Sequence, residues 1–246
     1  MERFGAPILR NGGEVMQGKN NFKRILSGIM SVAMAATLLP SLPAVAEDAA
    51  EKYPYTMFAA SDTEGAITIN ANNFCVNGNI ATNGTIVSSG NMNVNGTKTE
   101  NADEEMIYIL KKLNYSYFSG DNVETYADDY SFEDLNININ NPMDVNGTLE
   151  LTGNINLNSG IKAVEDVTIN GEVKNTNNSV ICSETGDINI ETSNVNFSGL
   201  IYAPYGDINI DTDNLNLNNV IIIGQTITID CPSINANYSN SMAELV

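Results

Sequence analysis

The chain has 246 residues, 42% of them hydrophobic, no histidine, no tryptophan and a formal charge of −19. Without histidine there is no imidazole acid or base for a Ser-His-Asp or Cys-His mechanism, and zinc has almost no possible ligands. Acidity of this strength repels nucleic acid and anionic lipid, both of which proteins bind through Lys and Arg, so those partners are excluded.

Residues 1–46 read as a secretory signal. Lys19, Lys23 and Arg24 end a basic stretch, Ile25 to Leu39 is apolar, and Ala44-Val45-Ala46 offers a cleavage site before Glu47. The apolar run is short for an uncleaved anchor, so no membrane contact is expected beyond the signal peptide. The mature part, 47–246, keeps six Lys, no Arg and 28 acids, a formal charge of −22. The chain is therefore expected to be secreted, or displayed at the cell surface.

From Gly65 a repeat begins. "GAITINANNFCVNGNIATNG" aligns with later units, Ile67 and Ile69 matching Ile188 and Ile190, then Ile208 and Ile210. Gly186 and Gly206 each start G-D-I-N-I-(E/D)-T-x-N, and a shorter apolar-x-apolar-Asn-Gly signature recurs at 74–78, 92–96, 143–147 and 167–171. Within each unit apolar residues alternate with Asn, Asp, Thr or Ser, the period of strands with one buried face. Short runs joined by Asn-Gly or Ser-Gly corners at about 20-residue spacing describe the rungs of a parallel solenoid. The fold class is accordingly all-β, a single-stranded parallel β-helix of about 20 residues per rung. An antiparallel sandwich is the rival, and it would require hairpins between neighbouring strands. Asn fills 35 of the 200 mature positions, enough for stacked side-chain amide ladders.

The solenoid is interrupted at 98–134. There "NADEEMIYILKKL" predicts a helix capped by Asn101, with Glu104 as the capping-box partner and Lys111 and Lys112 at its C-terminus. Met106, Ile109, Leu110 and Leu113 share one face of that helix. The insert carries Tyr108, Tyr115, Tyr117, Tyr126 and Tyr130. It reads either as a cover for the solenoid's flank or as a ligand-facing flap presenting those tyrosines.

Later in the chain, Asp187 and Asp207 match in consecutive units, as do Glu191 and Asp211, with Asp213 two residues on. In-register rungs would place each pair about 5 Å apart, where calcium would relieve the repulsion. The competing reading is a solvated acidic stripe with no cofactor. Cys75, Cys182 and Cys231 sit beside apolar runs and read as buried thiols, with a disulfide between two of them as the alternative. The last rung, from Gly224, needs its open edge covered, by "SNSMAELV" folding over it or by further chain.

The stretches "GAITINANNFCVNGNIATNGTIVSSGNMNVNGTKTENA" and "GLIYAPYGDINI" resemble segments in the amino-terminal regions of large cell-surface proteins from Gram-positive, clostridial-type bacteria. The resemblance covers Tyr53 to the end. It implies a surface role, often ahead of further extracellular modules, and transfers no catalytic residue. The expected function is a non-enzymatic surface scaffold or adhesion module, with a glycan or a host or cell-wall surface ligand as partner. The alternative is a carbohydrate-active β-helix hydrolase or lyase working with paired carboxylates. End-to-end self-assembly through open rung edges is a third reading.

Overall fold

A computed structural model describes residues 53–175, 178–244 and 246; the expected signal segment lies outside them. The described chain is a parallel β-solenoid, and every strand pairing in it is parallel. The sandwich rival is thereby ruled out. In β16 (Ile188–Ala203) and β17 (Ile208–Gly224) a whole rung is one strand bent at its corners. The two rungs lie in register from Ile188↔Ile208 to Ala203↔Gly224, so the repeated motifs stack on one another.

Three parallel sheets surround an apolar interior. The first contains β5 (Ile86–Ser88), β2 (Ile67–Asn70), β18 (Ile227–Asp230), the starts of β17 and β16, β13 (Val167–Asn170), β11 (Leu149–Leu157) and β9 (Tyr130–Ile139). One inward column of this sheet reads Ile86, Ile67, Ile227, Ile208, Ile188, Val167, Leu149 and Tyr130. The second sheet holds β6 (Asn91–Asn95), β3 (Asn73–Asn77), β19 (Ser233–Tyr238), the middles of β17 and β16, β14 (Val173–Lys174) and the ends of β11 and β9. The third runs through β7 (Lys98–Thr99), β4 (Asn79–Thr82), β1 (Tyr55–Ala59), the ends of β17 and β16, β15 (Ser179–Ser183), β12 (Ile161–Ala163), β10 (Met143–Val145) and β8 (Glu124–Tyr126). Phe74, Phe197 and the stacked Ile, Leu and Val are buried within, and burying each such side chain contributes about 1.5–3 kcal/mol.

Rung order is not chain order. The described chain begins mid-stack at β1, which lies between β4 and the end of β17, and winds outward to β7 at one end. Residues 100–123 then connect to β8 at the other end, and the chain winds back until β18 and β19 dock on β2 and β3. The last rung's edge is thus covered by the chain's own first coil. "SNSM" is therefore not needed as a lid; Met242–Glu244 forms a 3-10 turn whose Met242 and Ala243 pack on the outside of the third sheet.

The insert is narrower than the sequence suggests. Lys98, Thr99, Glu124–Tyr126 and Tyr130–Ile139 all pair within the sheets. The helix is shorter as well: α1 spans Leu110–Ser116, and Asn101 (φ 52°) does not cap it. Lys111 and Lys112 consequently lie in its first turn. Tertiary contacts explain the difference. The Asn83 amide donates to Glu104 O at 2.7 Å while its Oδ1 accepts from Glu104 N at 2.9 Å, which fixes that segment in a non-helical conformation. Farther along, Tyr202 Oη accepts from Ile109 N at 3.0 Å and donates to Ile107 O at 2.7 Å. Ile109, Leu113 and Phe118, with Met106 and Leu110 partly buried, cover the outer face of the third sheet over Phe58, Tyr202 and Cys182. The insert is a strap running the length of one flank.

Candidate functional site

Asn-x-Asn alternation gives the second sheet its outer face. With Phe74, Ile234, Leu215 and Val195 turned inward, the residues between them must point out. The central outward column reads Asn93, Cys75, Asn235, Asn216, Asn196, Lys174, Asn156 and Asn138. Amides bond up the stack: Asn95 to Asn77 (3.3 Å), Asn77 to Asn237 (2.6 Å), Asn237 to Asn218 (3.1 Å), Asn216 to Asn196 (3.3 Å) and Asn156 to Asn138 (3.0 Å). Each carboxamide offers two donors and an acceptor with two lone pairs, so each ladder leaves hydrogen-bonding capacity facing solvent, with Cys75 and Lys174 interrupting the central column. The result is an exposed lattice of donors and acceptors, neutral apart from Lys174, repeating every 4.7–4.9 Å or so. The sequence indicated the ladders; sheet assignment was needed to see that those above share one face, while Asn209 bonds Asn189 at 3.0 Å on the first sheet.

The acids expected to pair divide into two groups. Glu191 and Asp211 are in register, and Asp230 follows Asp211 on the next rung. All three border a shallow depression of about 300 Å³ on the first sheet, with Asn189, Asn209 and Thr228. Among the described residues no group of three His, Cys, Asp or Glu side chains is placed to hold a metal ion. Asp187 and Asp207 lie instead at a corner. Asp187 Oδ1 accepts from Asp207 N, and Asp166 Oδ1 accepts from Asp187 N, both at 2.8 Å. These carboxylates secure the turn entering the first sheet. Asp213 is exposed on the bend between the first and second sheets. Asp187→Ala is expected to cost about 1 kcal/mol in chemical denaturation, as for one partly solvated hydrogen bond, and Asp187→Asn less.

Nor do the five tyrosines form one surface. Tyr126 and Tyr130, with ring centroids 3.8 Å apart, occupy inward columns of the terminal rung, above Val145 and Leu149. They close the end of the interior, and burial followed by the hydrogen bond to Tyr130 pushes the Tyr126 phenol up to about 12. Tyr117 is part of the strap and packs half-buried beside Phe118. Tyr108 meets Tyr205 at 5.4 Å, and both are exposed; Tyr115 projects into solvent, 85% exposed.

All three cysteines are free thiols. Cys182 is fully buried beneath the strap and Cys231 is buried too, and burial pushes both thiols up. Cys75 departs from the expected burial: it is half-buried in the outward asparagine column. A thiol reagent is expected to label Cys75 in the native protein and the other two only on unfolding, as a labelling time course would read.

No protein-family model matches the chain, and no curated protein matches it in sequence. Among solved structures, it is similar to an ice-binding protein from the Antarctic ascomycete Antarctomyces psychrotrophicus, at 12% identity and a TM-score of 0.42, over 76% of this chain and 95% of that one. An ice-binding protein from an Antarctic biological consortium follows, at 13% identity and a TM-score of 0.37, over 75% and 86%. A third, from an Antarctic Flavobacteriaceae bacterium, has 18% identity and a TM-score of 0.36, and there the chain spans 46% of the solved protein.

Proposed function

We propose that this chain is an exported, non-enzymatic adhesion module displayed at a cell surface, and that the asparagine face of the second sheet binds an extended neutral glycan. The observation that carries the reading is the in-register amide lattice. Sugar hydroxyls need donors and acceptors together, which carboxamides supply without charge. A lattice held by stacked strands loses little side-chain freedom on binding, so more of each contact survives as affinity. Resemblance of the Gly65–Ala102 segment to Gram-positive surface proteins supports display outside the cell.

Retention of the full chain on neutral polysaccharides tests this. Asn196→Ala with Asn216→Ala removes two adjacent amides, and at about 0.5–1.5 kcal/mol per hydrogen bond it is expected to weaken binding roughly tenfold at unchanged melting temperature. Equal retention of native and double-variant chains would overturn the assignment of the face. Release of shortened sugars that stops in Asp211→Asn would point instead to the acidic depression and a hydrolytic role. The same lattice also offers water a repeating set of donors and acceptors, so adsorption to ice is a second reading. Thermal hysteresis lost in the double variant would establish it.

A further inference from the structure

Beneath the strap, four groups meet that the adhesion reading does not use. Lys162 projects outward from β12 and is 5% exposed. Its Nζ lies 2.7 Å from Glu184 Oε1, 3.1 Å from Asp144 Oδ1 and 2.9 Å from the carboxamide oxygen of Asn114 on α1. The Phe118 ring covers the site, its centroid 5.8 Å from Nζ. An amine, a primary carboxamide and two carboxylates thus share one site, in which Lys162 is buried and its three partners are half-buried, beside an aromatic ring. A salt bridge needs only the amine and one acid. The carboxamide in hydrogen-bond contact supplies an electrophilic carbon to a potential nucleophile.

We propose that Lys162 and Asn114 join in a covalent amide bond formed by the protein itself, with Glu184 as the proton shuttle. Glu184 takes a proton from the Lys162 ammonium, and the neutral amine attacks Cγ of Asn114. The Nζ–Cγ bond forms, the tetrahedral centre collapses, and the Cγ–Nδ2 bond breaks as Glu184 returns its proton to the departing nitrogen. Ammonia leaves and, taking up the second proton released by Nζ, ends as ammonium; no oxidant or cofactor is consumed. Asp144 holds a further N–H of Lys162 and aims its lone pair. Burial pulls the lysine down, but the hydrogen bonds to Glu184 and Asp144 outweigh it and leave the ammonium as the resting form. Proton transfer therefore precedes attack, and the reaction is slow and occurs once per molecule. The product ties α1 to the solenoid across 48 residues of sequence.

Peptide mapping of the full chain tests the bond. The expected product is a cross-linked species joining the segments of Asn114 and Lys162, about 17 Da lighter than their sum for the lost ammonia. Trypsin is expected to pass over the acylated Lys162. Lys162→Arg and Asn114→Ala abolish the linked species. Glu184→Gln, nearly the same size, is expected to slow its formation at least about a hundredfold, the usual contribution of a positioned acid–base group. Native chain yielding only unlinked peptides after prolonged incubation would overturn the proposal and leave an ion cluster. Linkage at the native rate in Glu184→Gln would overturn the shuttle.

Discussion

Gly199→Ala is expected to destabilise the protein by about 2–5 kcal/mol, the sum of backbone strain and overpacking at one position. Gly199 sits in β16 at φ +140°, directly over Ser179 of the rung below. A Cβ there would lie 1.9 Å from Ser179 O and 2.6 Å from Ser179 N. Both are backbone atoms held by ladder hydrogen bonds, so neither can rotate away. Gly120→Ala is the control: its φ is also positive, +106°, but nothing lies within 4 Å of the added carbon. Only strain remains there, about 1 kcal/mol or slightly more. Urea denaturation of both variants checks the pair. A Gly199→Ala chain within about 0.5 kcal/mol of native, the range of a neutral surface change, would mean the rungs do not approach this closely.

The parallel solenoid was legible because its core rests on local pattern. Ile188 and Ile190 over Ile208 and Ile210 follow from equal spacing, and equal spacing is written in the chain. What spacing could not reveal is the order of the coils. That Ile227 lies on Ile67 depends on where the chain reverses, and the reversal is carried by the strap. Helical periodicity at 101–113 was real but local. The reciprocal bonds between Asn83 and Glu104, and those of Tyr202 to Ile107 and Ile109, fix that segment in another conformation, and no local pattern reports partners 21 or 93 residues away. The tyrosines misled for the same reason. Their density suggested one surface, whereas Tyr126 and Tyr130 close an interior that only the terminal rung exposes. The Asp187–Asp207 match reflects the register of the two rungs. Its purpose, securing one corner's backbone from the next, depended on the direction of a carboxylate that sequence does not carry.

Tyr202→Ala is expected to cost about 3–5 kcal/mol, as for a buried aromatic, and to release the strap before the solenoid. Tyr202 is the largest of the fully buried side chains among the described residues and stands on the outer face of the third sheet, so its loss leaves a void between sheet and strap and not within the stacked interior. It also strips Ile107 O and Ile109 N of their partner, each worth about 1–3 kcal/mol if left buried and unpaired. Because the rungs of a solenoid contact chiefly their neighbours, the damage is expected to stay local. Amide exchange would read this directly: protection at 107–117 collapses, while the amides of Ile188–Ile190 and Ile208–Ile210, held by rungs on both sides, keep theirs. Tyr202→Phe keeps the ring and isolates the hydrogen-bonding share. Equal loss of protection along the whole chain would instead show strap and solenoid to unfold as one unit. The rungs would then depend on the strap that joins their two ends, and the independent stack of strands could not be the source of the rigidity on which the asparagine lattice relies.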